Sequence, residues 1–151
     1  MNTAYYQGNR ERLYAMMPPG SLLMLFSGEE VRKTNDEYYP FFADRSFVYF
    51  TGLKCRQAVL LALKDAEGSV AERLYLLAER WTGTRIKPQE AESVSGVKDV
   101  RFVGALETDF SALANSGNYG AVYLDLSRIS PADVDRPAHG WRNVIQREYP
   151  F

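Results

Sequence analysis

Two uninterrupted apolar runs constrain this chain more than any other feature: residues 22–26, Leu-Leu-Met-Leu-Phe, and residues 58–63, Ala-Val-Leu-Leu-Ala-Leu. Both fall far short of the roughly 20 residues that cross a bilayer, so neither is a membrane span. A strand with one wet face alternates apolar and polar side chains; a run without a polar position reads as a strand covered on both faces. The first run, bounded by Gly20 and Gly28, is therefore predicted as a central strand. Such a strand needs other elements packed over it.

The remaining patterns supply them. Residues 5–17 place Tyr6, Leu13, Met16 and Met17 on one helical face and Arg10, Glu11 and Arg12 on the other, and Pro18-Pro19-Gly20 stops the helix. Residues 46–51, aromatic and β-branched around Val48 and Phe50, are predicted as a strand ended by Gly52. The turn-forming stretch 65–68 sits between the apolar run 58–63 and Arg-Leu-Tyr-Leu-Leu-Ala at 73–78, the signature of a β-hairpin. A helix over 89–95 opens on Pro88 and closes at Gly96. Then come a strand at 99–103, a helix capped by Thr108 and running to 115, a strand at 121–126, a loop over 130–140 and a last helix over 141–148. This order predicts a single α/β domain with a mixed sheet flanked by helices. Leu23, Leu25, Val59, Leu61, Leu76 and Leu124 are its predicted core.

A length of 151 residues is one ordinary domain, able to hold a core without disulfide or metal. Charge is balanced, with 18 Lys and Arg against 19 Asp and Glu and no basic run longer than Arg32-Lys33, which argues against a nucleic-acid partner. The single cysteine suits a reducing compartment, and the N-terminus lacks a signal-peptide pattern. A soluble cytoplasmic protein with no membrane partner is the expectation.

Chemistry is hard to find. His139 is the only histidine, which excludes HExxH, facial-triad and zinc-finger sites within the chain. Asp125, Asp133 and Asp135 lack calcium-loop spacing and read as a solvated loop. No GxSxG elbow occurs, so His139 reads as an exposed turn residue. Cys55, between Lys54 and Arg56, has positive charge beside it but no partner base and reads as a passive thiol. Neither GxGxxG nor GxxxxGK[ST] is present, and no catalytic residue, metal ligand or cofactor site is predicted in this chain. Two segments remain unexplained by core formation. In Asn35-Asp36-Glu37-Tyr38-Tyr39-Pro40-Phe41 a carboxylate and aromatics share a loop, and in Glu79-Arg80-Trp81-Thr82-Gly83-Thr84-Arg85 a tryptophan follows a strand.

These two segments carry a resemblance. The run from Asp36 to Phe41, followed by Arg45-Ser-Phe-Val-Tyr-Phe-Thr-Gly52, resembles the amino-terminal domain of Xaa-Pro aminopeptidases, also called aminopeptidase P. Residues 79–85 are similar to the family's Trp-x-Gly-x-Arg segment, and Asn9-Arg-Glu-Arg-Leu13 with Pro19-Gly-Ser21 is similar to its opening helix and turn. Order and spacing agree from about residue 9 to 126. Where the family often shows Glu-Pro after Thr-Gly, this chain reads Lys54-Cys55-Arg56-Gln57.

The resemblance implies the creatinase/prolidase type of amino-terminal domain, with a ribonuclease H-like arrangement, over residues 1–151. It implies a catalytic pita-bread domain beyond residue 151, in which two Asp, one His and two Glu hold two divalent ions, usually manganese. The substrates it implies are peptides with proline at the second position, and the assembly a homo-oligomer, dimer or tetramer. By the same resemblance Trp81 and Asp36 are substrate-binding residues that approach a neighbouring subunit's active site. A proline dipeptidase, a creatinase-like hydrolase and a stand-alone binding module are the competing readings.

Overall fold

The computed structural model describes residues 2–28, 43–77, 86–126 and 137–149. In chain order the elements are α1 (Thr3–Met16), β1 (Ser21–Phe26), α2 (Arg45–Thr51), β2 (Val59–Lys64), β3 (Val70–Leu76), α3 (Pro88–Ser95), β4 (Val100–Phe102), a 3-10 turn (Val103–Ala105), α4 (Leu106–Ala114), β5 (Ala121–Leu124) and α5 (Pro137–Glu148). Five strands form one mixed sheet in the order β4-β3-β2-β1-β5. The hairpin is as predicted: β2 runs antiparallel to β1, with Leu23 opposite Ala62, and to β3, with Leu60 opposite Leu74. The outer pairs are parallel, β5 beside β1 and β4 beside β3.

The unbroken apolar runs are explained by two cores, one on each side of the sheet. Leu23, Leu25, Leu60, Ala62, Leu74 and Leu76 face a layer that includes Tyr14 and Met17 from the α1 end, Phe47 of α2 and Ala91 of α3. The intervening residues Leu22, Met24, Val59, Leu61, Leu63 and Tyr75 face Leu106, Phe110 and Ala114 of α4 and Ile145 of α5. Because strand side chains alternate faces, a strand buried on both sides has no position left for a polar residue. Five of the six predicted core residues are buried, whereas Leu124, on the edge strand β5, is half-buried.

Several local expectations are corrected. Residues 46–51 form a helix, not a strand. The Asp44 carboxylate accepts from Ser46 N–H at 3.0 Å and Phe47 N–H at 3.2 Å, and Gly52 closes the helix in the left-handed region at φ 73°. Cap and stop outweigh the weak strand preference of the aromatic residues between them. The apolar face of α1 is shifted: Met16 is 78 % exposed, while Asn9, Arg10 and Tyr14 are buried. Arg10 is tolerated inside because Glu72 of β3 takes it in a two-pronged pair at 2.8 and 3.2 Å and Phe50 O accepts from its Nη1 at 2.9 Å. Thr108 is not a cap, since the 3-10 turn leads directly into α4 at Leu106, and β4 is only three residues long. The last helix begins at Pro137 rather than 141, so His139 is not an exposed turn residue. It is 2 % exposed, with Nε2 3.1 Å from Leu126 O, holding the start of α5 to the end of β5.

Candidate functional site at the carboxyl end of the sheet

Three strands of the sheet finish at one end, each shortly before a segment outside the described residues. β1, β3, β4 and β5 all run the same way, with β2 alone reversed. The segments 29–42, 78–85 and 127–136 therefore follow strands that finish at a common end, after Phe26, Leu76 and Leu124. In open α/β sheets ligands are met at the carboxyl ends of parallel strands. Asp36 and Trp81 belong to the first two segments and lie outside the described residues, as do Asp133 and Asp135 of the third.

The described residues at this end are closely tied. Ser27, 1 % exposed, exchanges backbone bonds with two partners: its N–H donates to Ala58 O at 2.9 Å, and its carbonyl accepts from Asp44 N–H at 2.9 Å. Its Oγ accepts from Ala58 N–H at 2.9 Å. Gln57 adds a bond from its N–H to Gly28 O at 2.8 Å, with its own backbone at φ 55°, a conformation unusual for a residue with a side chain. Gly28, at φ 103°, sits where only glycine is unstrained. Beside these residues a pocket of about 220 Å³ opens on the α4–α5 side, lined by Phe26, Gln57, Val103, Leu106, Pro137 and Trp141 among others. Its lining is mostly apolar, with the Gln57 amide and the Glu107 carboxylate as its polar side chains beside the indole of Trp141.

The other candidate chemistry is structural. Burial pushes the Cys55 thiol up, away from a reactive thiolate. Asp125 Oδ2 accepts from Ser46 Oγ at 3.5 Å. Tyr14 OH donates to Glu72 at 2.6 Å, and burial, with the neighbouring carboxylate, raises its pKa. Among the described residues no three His, Cys, Asp or Glu side chains come together as a metal site. Ser27 and Gln57 were not legible in the sequence: a serine after an apolar run and a glutamine in a polar loop carry no pattern.

The described residues define a single α/β domain built on a five-stranded mixed sheet. The chain belongs to the family of aminopeptidase P amino-terminal domains, which matches residues 6–123. It is 36 % identical over 99 residues to the Xaa-Pro aminopeptidase of Haemophilus influenzae and 33 % identical over 97 residues to that of Escherichia coli. These matches cover 62 % and 61 % of this chain but 23 % and 22 % of the relatives, so the chain spans under a quarter of their length. In structure it is similar to a chain assigned to aminopeptidase P of Bacillus anthracis, with a TM-score of 0.91 and 27 % identity over 99 % of this chain and 37 % of that one. The Escherichia coli aminopeptidase P bound to the inhibitor Pro-Leu shares the fold, with a TM-score of 0.79 and 23 % identity over 97 % of this chain and 33 % of that one.

Proposed function

We propose that this chain is the non-catalytic amino-terminal domain of a cytoplasmic, metal-dependent Xaa-Pro aminopeptidase, and that it helps to form the oligomer and to shape the substrate site. The observation that carries this reading is the family match over residues 6–123 combined with relatives more than four times the matched length, all of them Xaa-Pro aminopeptidases. On this reading a following pita-bread domain supplies two Asp, one His and two Glu for two divalent ions, manganese by preference. Those ions would activate the water that cleaves the bond before proline.

The domain's own part is recognition. Trp81 offers a flat aromatic face to a proline ring or peptide backbone, and Asp36 a carboxylate to the substrate's amine. Both would act on a peptide held in a neighbouring subunit. Their segments follow β3 and β1, which finish at the same end of the sheet, and this agrees with a shared task.

The coding sequence beyond Phe151 tests the reading first. A continuation with the five ligands in order supports it; a stop, or a continuation without them, ends it. Purified parent protein with manganese should then release the first residue from Xaa-Pro peptides, and trimming of tripeptides as well as dipeptides separates an aminopeptidase from a proline dipeptidase.

A further inference from the structure

We infer that the groove between α4 and α5 seats the polypeptide that follows this domain in the parent, and that the surface seated there is apolar with a basic side chain opposite Glu107. This rests on the reading that the parent continues beyond this domain, and goes further by assigning the surface used. Adjoining cavities form the groove. The one of about 220 Å³ beside Gln57 meets one of about 510 Å³ over Pro137, Trp141, Val144 and Tyr149, and a third of about 550 Å³ reaches Ser111 and Asn115 of α4. Trp141, Val144 and Tyr149 are only half-buried, so each offers part of an apolar side chain to the groove. Gly140 opens α5 toward the second cavity, where an added Cβ would meet nothing within 4 Å. A helical glycine costs stability against alanine, and the space it leaves lets another backbone come close. Glu107 lines all three cavities, and among the described residues no ion pair or hydrogen bond takes its carboxylate. The rim charges Arg147 and Glu148 pair with each other at 3.2 Å, which leaves Glu107 as the carboxylate to be met. The occupant follows from chain continuity. The family match is to an amino-terminal domain, and the matched part is 23 % and 22 % of the two bacterial relatives, so most of their polypeptide lies beyond it. Helix α5, last in chain order, forms one wall of the groove with Tyr149 at its end, so a continuing chain leaves beside these cavities.

The test is hydroxyl-radical footprinting, read by mass spectrometry, on the 151-residue chain and on the parent. Expected is oxidation of Trp141 and Tyr149 slowed about fivefold or more in the parent, at every protein concentration tried. Gly140→Leu should leave the melting temperature of the 151-residue chain within about 3 °C, since the side chain enters open space. In the parent the same leucine should wedge the groove open and return Trp141 oxidation to the rate of the equally substituted chain. Should that parent variant not fold, Glu107→Lys serves: it sets like charges face to face and should restore oxidation likewise. Equal rates in the unsubstituted chain and parent would overturn the inference, as would protection that survives both substitutions. Protection lost on dilution would assign the groove to a second copy and overturn it too. A coding sequence that stops at Phe151 ends the proposed function and the inference together, whereas equal rates in a parent that carries the five ligands end the inference alone.

Discussion

Arg10 sits where its residue type is least at home, 1 % exposed beneath α1, and its two-pronged pair with Glu72 also receives Tyr14 OH. Removing Arg10 leaves Glu72, 26 % exposed and still bonded to Tyr14 OH, without its counter-charge and Phe50 O without its donor, so Arg10→Ala should cost ~1–3 kcal/mol in denaturant unfolding. An exposed pair offers the contrast: Asp99→Ala, which breaks a 2.9 Å contact to Arg101, should cost under about 1 kcal/mol. Asp109 gives a pH signature. The Tyr75 hydroxyl, donating at 2.7 Å, and then Arg101 hold its carboxyl below the ordinary value of 3.8. A carboxylate with a lowered folded-state pKa contributes stability that is present above its unfolded value and lost as pH falls through the lowered one. The stability gap between the wild type and Asp109→Asn should therefore narrow across that acid range, and a gap independent of pH would show that Asp109 contributes no such linkage. Trp81→Ala should impair hydrolysis of Xaa-Pro peptides by the parent enzyme while hardly moving the melting temperature of this domain; a core tryptophan would cost ~3–5 kcal/mol instead.

Among the elements, β2 offers the sharpest test of the two-sided sheet. Leu60 and Leu61 are both fully buried, one facing the α1–α3 layer and the other the α4–α5 layer. Alanine at either should cost ~2–5 kcal/mol, whereas a one-faced sheet would make one of the two cheap. Leu124→Ala on the edge strand should cost less than either. The central strands and hairpin were legible because an apolar run and a polar turn are local signals. Helix α2 was not, because seven residues rich in Phe, Val and Tyr look like a strand until Asp44 and Gly52 are recognised as its two ends. The burial of Arg10 and His139 was equally hidden, since each depends on a partner distant in sequence or fold: Glu72 for one, the end of β5 for the other. Phe47, fully buried on α2, should cost ~3–5 kcal/mol on truncation, and Asp44→Ala about 1 kcal/mol through loss of the cap.

At the scale of the molecule, the proposed function places metal binding outside this chain. Calorimetry of the 151-residue chain with manganese should show no stoichiometric, sub-micromolar binding, because the chain has a single histidine and, among the described residues, no three His, Cys, Asp or Glu side chains gather. The hairpin turn points the other way from Ser27. At that opposite end Gly20 N–H donates to Lys64 O at 2.8 Å and Gly120 N–H to Gly20 O at 2.8 Å, and Asp65 Oδ1 receives the amides of Glu67 and Ser69. Four strands begin there, and the turn at 65–69 is tied off by its own hydrogen bonds. A fluorophore or affinity handle attached at the exposed Glu67 would thus report on this domain from the far side of the sheet.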